Sequence, residues 1–131
     1  MNDEERRAAG SEMRRKVLGN AYVDRAIAKT TPFSQEIRDF IVRYAWGEVW
    51  TRPGLDHRTR RLLVMGTMMA LGRWDEFQLH VRTALEGGMD LDDIKEVILQ
   101  QAVYCGVPAA NTAINRVEEL LAETASAKPG R

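Results

Sequence analysis

The chain has 131 residues, 44% of them hydrophobic, with 19 Lys and Arg against 19 Asp and Glu. That length suits one domain with a real core. The zero formal net charge argues against a nucleic-acid or acidic-membrane surface, which needs a basic face. A single cysteine, Cys105, excludes an internal disulfide framework and a Cys-rich zinc site, and favours a reducing compartment.

The helical period recurs along nearly the whole chain, and no stretch alternates as a half-buried strand would. Asp3 to Leu18 is predicted as a charged helix, stopped by Gly19-Asn20. A short helix, Ala21 to Lys29, follows and is broken at Thr30-Thr31-Pro32. Ser34 is placed to cap the next helix. On it Ile37, Phe40, Ile41, Tyr44 and Glu48 fall on one face, and Arg52-Pro53-Gly54 ends it. Asp56 is placed as the cap of a helix through Leu62 to Leu71. That run is apolar nearly all round, as in a helix buried on most sides. It is too short for a membrane, which takes about 20 residues. Gly72 marks its end.

The next helix runs from about Trp74 to Glu86, with Phe77, Val81, Ala84 and Leu85 as core positions. Gly87-Gly88 stops it, one glycine supplying a left-handed cap. Asp90 precedes a helix through Ile94, Val97, Ile98, Gln101 and Ala102. Gly106-Val107-Pro108 interrupts the pattern, and a last helix runs from Ala109 to about Thr124. The ends, residues 1–13 and 126–131, are expected to be mobile. The charged start, Met1 to Arg15, lacks a signal peptide's apolar run. The expectation is an all-α, single-domain antiparallel bundle of about six or seven helices over residues 1–131, with cytoplasmic localisation.

No phosphate loop, nucleotide fingerprint, zinc-protease motif or nucleophile elbow is present. Of the two histidines, His57 sits at a helix start among Arg58, Arg60 and Arg61 and reads as solvated. His80 lies mid-helix, four residues after Glu76, so both side chains share one face. A carboxylate there favours the imidazolium and orients it, and such a pair can deliver a proton. The competing reading is a plain ion pair or a hydrogen-bonded core histidine. Glu48, among Trp46, Val49 and Trp50, either pairs with an arginine or lines a pocket. Arg52, in the rigid turn Trp50 to Leu55, suits a carboxylate ligand, or is an ordinary surface arginine. Arg73 and Arg82 flank the Glu76–His80 helix and are weaker anion-binding candidates. Met65, Met68 and Met69 read as core filling. Cys105 reads as a small buried apolar side chain rather than a nucleophile. Asn111 and Asn115 share a face, with no role decided.

Three separated segments, Tyr44 to Leu55, Glu76 to Arg82 and Gln101 to Asn111, together with Arg15 to Gly19 and Tyr22-Val23, resemble the carboxymuconolactone decarboxylase family, of the alkylhydroperoxidase-D-like type. The resemblance runs from about Arg14 to Ala122. It implies an all-helical chain assembled as a homo-oligomer, usually a hexamer built as a trimer of dimers. It also implies decarboxylation of a small-molecule lactone diacid in protocatechuate degradation through the beta-ketoadipate pathway, with no metal or organic cofactor.

The peroxidase branch of this type carries Cys-x-x-Cys followed after three residues by His. Aligned on His80, Arg73 and Glu76 stand where its cysteines would be, so dithiol chemistry is not expected. That branch tends to place a glutamate where this chain has Arg61. A base there fits an anionic substrate, and equally fits a surface exchange. The expected site comprises His80 as proton donor or oxyanion partner, Glu76 to orient and charge it, and Glu48 as a second acid or a repulsive carboxylate. Arg52, Trp50, Arg73 and Arg82 are expected to bind substrate. The rival expectations are a redox protein of the same fold and a non-catalytic helical ligand-binding or assembly module.

Overall fold

The computed structural model describes residues 1–127. Among them every regular element is helical: α1 (Asp3–Leu18), α2 (Asn20–Ala28), α3 (Gln35–Ile41) running into a π-helical segment (Val42–Val49), α4 (His57–Leu71), α5 (Trp74–Glu86), α6 (Leu91–Cys105) and α7 (Val107–Ala127). The bounds of α5 are those its sequence period predicts. Helix α7 starts earlier than expected, because Pro108 sits in its first turn, where a missing N–H costs nothing. Its end at Ala127 takes in Ser126 and Ala127; residues 128–131 of the expected mobile tail lie outside the described residues.

The chain divides into two compact units, Met1–His57 and Arg58–Arg131. In the first, α1 lies along the π-helical segment at backbone distance. A Cβ added at Gly10 would overlap the Val42 carbonyl oxygen, and one at Gly47 would overlap that of Arg6. Two glycines thus let the helix axes approach where any side chain would hold them apart. The wide turn is read in the Trp50 N–H, which donates to Ala45, five residues back, at 3.0 Å. Charges reinforce the seam. Arg7 of α1 donates to Asp39 at 2.6 Å, and Arg43 donates to the same carboxylate at 2.8 Å and pairs with Asp3 of α1 at 3.3 Å. The Arg7 guanidinium, with help from Arg43, holds the Asp39 carboxyl down at about 2. Tyr44 lies under two guanidinium groups, Arg6 at 5.5 Å and Arg43 at 5.3 Å from its ring centre.

The structure adds to or departs from the sequence reading at three points in this unit. Residues 3–13, expected to be a mobile end, are helical, and Gly10 among them lies against Val42. The stripe Ile37, Phe40, Ile41 and Tyr44 is exposed, and the buried residues are Trp46, Gly47 and Trp50. The close approach to α1 requires the small Gly47, the Trp46 and Trp50 indoles stack on each other, and the apolar stripe is left exposed. Ser34 occupies the N-cap position without capping: its hydroxyl accepts from the Thr31 N–H at 3.0 Å instead.

The second unit has the larger apolar core. Met65 and Met69 of α4, Phe77, Val81 and Ala84 of α5, Ile94 of α6, and Ala113, Val117 and Leu120 of α7 form one buried cluster, with Met68 and Cys105 packed against it. Burying side chains of this size stabilises by roughly 1.5–3 kcal/mol each. Gly88 at φ +97° supplies the left-handed turn after α5, since a Cβ disfavours that conformation. Asp90 precedes α6 without a side-chain cap bond. Helix α4 is not buried all round: Leu63 and Leu71 are exposed. They border a cavity of about 670 Å³ along α4 and α6, with Leu62, Gly66, Val97 and Gln101 among its other walls.

Candidate active site

Helix α5 buries Phe77, Val81 and Ala84. Its period carries His80 to the edge of that buried stripe, where the imidazole is half-buried. Its Nδ1 is enclosed and has no hydrogen-bond partner among the described residues. Burial is the largest influence on the ring and pushes its pKa down to about 4; the Arg61 charge adds to that, and Glu76 opposes it more weakly. His80 is therefore neutral near pH 7. The expectation that Glu76 charges it is corrected. A carboxylate one turn away is outweighed by desolvation and by a cation from another helix.

Glu76 faces away from that task. Its side chain is 44% exposed and accepts from Arg73 at 3.0 Å. The Arg73 hydrogen bond, more than any other influence, holds the Glu76 carboxyl low. Arg82 reaches across to Glu123 at 3.3 Å. Both arginines proposed for substrate are thus engaged with carboxylates at the surface, where such pairs contribute little. Gln78 donates to the Arg116 carbonyl at 2.9 Å and ties α5 to α7.

The residue that accompanies His80 is Arg61, on α4. It lies one and two turns before the buried Met65 and Met69, on the same face. Burial lowers its pKa, so the guanidinium is partly desolvated. It donates to the Thr83 hydroxyl at 2.9 Å. Thr83 is 5% exposed, and its hydroxyl bonds back to the His80 carbonyl at 3.4 Å. Spacing could not pair residues 22 apart. The available signal was an arginine in register with a methionine stripe.

The remaining expected residues belong to the first unit. Glu48 accepts from Arg6 at 2.5 Å. Of its two readings, the structure takes the arginine partner; the bond fastens α1 to the π-helical segment. Trp50 is buried and stacks on Trp46, ring centres 5.1 Å apart, with His57 at 6.1 Å on its tilted side. Arg52 is exposed in the turn that follows. Cys105 is half-buried, and its sulfur accepts from Gln101 at 3.6 Å. Asn111 and Asn115 are both exposed. Among the described residues no group of three His, Cys, Asp or Glu side chains is placed to hold a metal ion. None of their helices is long and apolar enough to cross a membrane.

In chemical terms, α4 and α5 hold a cation, tethered through Thr83 to the His80 backbone, whose charge is felt by a neutral, half-buried imidazole. Such a pair stabilises negative charge that develops on a bound molecule, and offers a nitrogen that can carry a proton.

Comparison with known proteins gives this geometry a context. Residues 35–119 match the model of the carboxymuconolactone decarboxylase family. The 4-carboxymuconolactone decarboxylase of Acinetobacter baylyi is 44% identical over 120 residues, covering 92% of this chain and 90% of that one. A nitrosuccinic acid decarboxylase, npaB, of Metarhizium robertsii is 41% identical over 105 residues, 80% of this chain and 73% of its own length. A 4-carboxymuconolactone decarboxylase sequence from Pseudomonas putida is 42% identical over 48 residues, 37% of this chain and all of that one. On the extent of the family match and of the Acinetobacter similarity, this chain belongs to the carboxymuconolactone decarboxylase family.

Proposed function

We propose that this protein is a carboxy-lyase that decarboxylates 4-carboxymuconolactone to the enol-lactone of beta-ketoadipate, in protocatechuate degradation. The observation that carries the reading is the 44% identity to the Acinetobacter baylyi enzyme over 92% of the chain. The matched family residues, 35–119, run across the boundary between the two compact units, which supports reading 1–131 as one catalytic domain. The homo-oligomer, a hexamer built as a trimer of dimers, and the cytoplasmic location are part of the same proposal. The exposed Phe33, Ile37, Phe40, Val103 and Tyr104 support an assembly, because apolar surface of this extent favours a covering partner.

The reaction needs an electron sink, and this substrate contains one. As the carbon–carbon bond to the departing carboxylate breaks, its electron pair enters the ring. The double bond shifts and the lactone carbonyl takes the charge as an enolate. Carbon dioxide leaves, and a proton is added to the carbon beside that carbonyl. One proton from solvent is consumed per turnover. The relative named for nitrosuccinic acid is named for another diacid, whose nitro group is likewise an electron sink. His80 is the proposed proton carrier: its enclosed nitrogen and low proton affinity in the free protein suit a group that takes a proton only when negative charge arrives. A role for Arg52 in holding a carboxylate rests on the Trp50 to Leu55 motif. Dithiol redox chemistry is disfavoured by the single cysteine.

The test supplies the enzymatically generated lactone and follows carbon dioxide and enol-lactone. The wild-type chain turns it over, and His80→Ala lowers kcat by about 10²–10⁴-fold, the range of a lost general acid. Turnover by His80→Ala at the wild-type rate would overturn the assignment of His80.

A further inference from the structure

Arg61 stands in the buried register of α4 and is partly desolvated there. Thr83 fixes its guanidinium at 2.9 Å and is itself linked to the His80 backbone at 3.4 Å. Its far side lies against Gly87, where an added Cβ would come within 3.7 Å of the terminal nitrogen. The side chain is therefore framed by α5 rather than free over the surface. Desolvation strengthens its effect on any charge brought beside it.

The substrate offers two adjacent sites of reaction. The carbonyl oxygen that takes the charge and the carbon that takes the proton are separated by a single carbon atom. A protein that protonates that carbon with His80 has a cation, Arg61, tethered through Thr83 to the His80 backbone. We infer that Arg61 receives the lactone carbonyl oxygen as it becomes the enolate, with His80 facing the carbon that is then protonated. Arg61 is on this view a catalytic residue, and Thr83 a positioning residue that acts through it. The inference rests on the decarboxylase reading.

The sequence of charges is consistent at each step. In the free protein, burial and Arg61 keep His80 neutral, against the weaker pull of Glu76. From α7, Arg116 and Glu123 are tied to Asp75 and Arg82. A bound dianion brings negative charge to the ring and favours the imidazolium, so His80 takes up a solvent proton as substrate binds. Carbon dioxide departs, and the enolate oxygen forms against the guanidinium. His80 then passes its proton to the ring carbon, and the electron pair returns to re-form the carbonyl.

The test compares wild-type, Arg61→Met, Arg61→Lys and Thr83→Val on the lactone. It pairs the kinetics with an NMR titration of His80 in each free protein, the signal assigned with His80→Gln. Losing a donor that acts only on the developing charge lowers kcat by about 100-fold in Arg61→Met and leaves KM within about threefold. Lysine keeps the charge without the planar fork and recovers part of the rate. Thr83→Val lowers kcat by about tenfold, because the guanidinium loses its tether. In the titrations His80 moves upward in Arg61→Met and stays low in Arg61→Lys.

A rise in KM with kcat unchanged would make Arg61 an anchor for the ground-state carboxylate and overturn the inference, as would unchanged kinetics in both Arg61 variants. Should Arg61→Met not fold, Arg61→Lys and Thr83→Val at the wild-type kcat would overturn it equally. A wild-type chain that binds but does not turn over the lactone overturns the decarboxylase reading itself, a result separable from failure of the variants alone.

Discussion

The protonation state of His80 sets a pH dependence of stability that can be worked through in full. An unfolded histidine titrates near 6.5, whereas burial and Arg61 hold the folded one at about 4. Between those values the unfolded chain binds more protons than the folded one, so stability falls as pH is lowered. Above about pH 6.5 the ring is neutral in both states and contributes no slope. Over the whole interval the loss is about 3 kcal/mol, and about 2 kcal/mol of it is reached by pH 5. Against a typical total of roughly 5–15 kcal/mol this is a large effect for one side chain.

The measurement is urea unfolding followed by circular dichroism at pH 7 and pH 5, for the wild-type chain and for His80→Gln. Glutamine keeps a polar amide but does not titrate, and the other ionisable groups are common to both. The wild-type chain loses about 2 kcal/mol more than the variant between the two pH values. Equal losses, or a wild-type chain that gains on the variant at pH 5, would mean that the folded imidazole takes a proton at least as readily as the unfolded one. The account of the site as a neutral ring beside a fixed cation would then be wrong.

Two further outcomes follow from the same structure. Gly10→Ala forces a Cβ into the Val42 carbonyl and lowers urea-unfolding stability by about 1–3 kcal/mol, although alanine in an open helix position would raise it by about 1 kcal/mol; a more stable variant would show that the α1 seam is not as close as described. Glu76→Gln leaves Arg73 without its partner but removes the weakest of the influences on His80, so kcat falls by less than about tenfold, below the range of a lost general acid and well short of the His80 variant; a loss equal to that of His80→Ala would restore Glu76 to the chemistry.

Much of the architecture was legible because its causes are local. The stops at Gly72, Gly87-Gly88 and Gly106 and the stripe Phe77, Val81, Ala84 place α5 between its observed ends, Trp74 and Glu86. The separated motifs were enough to indicate the family that the comparison then showed. The failures come where the deciding partner is distant. A 3.6-residue stripe sets Ile37, Phe40, Ile41 and Tyr44 on one face but does not say which way that face turns. Two glycines 37 positions apart bring α1 against the chain at Gly47, and the local turn widens to a π-helix.

His80 repeats the lesson within the candidate site. Its oddity, a histidine between Leu79 and Val81, was plain in the sequence, and so was a carboxylate one turn away at Glu76. Spacing along one helix favours that neighbour because it is the only one visible. Through space the ring is governed first by burial and then by Arg61 on α4, a residue whose position in the methionine register of its own helix was the readable clue. A pair at i and i+4 describes what one helix presents to solvent. The charge that sets a half-buried group is found instead on the helix packed against it, and in this protein that is where the electrostatics of the candidate site reside.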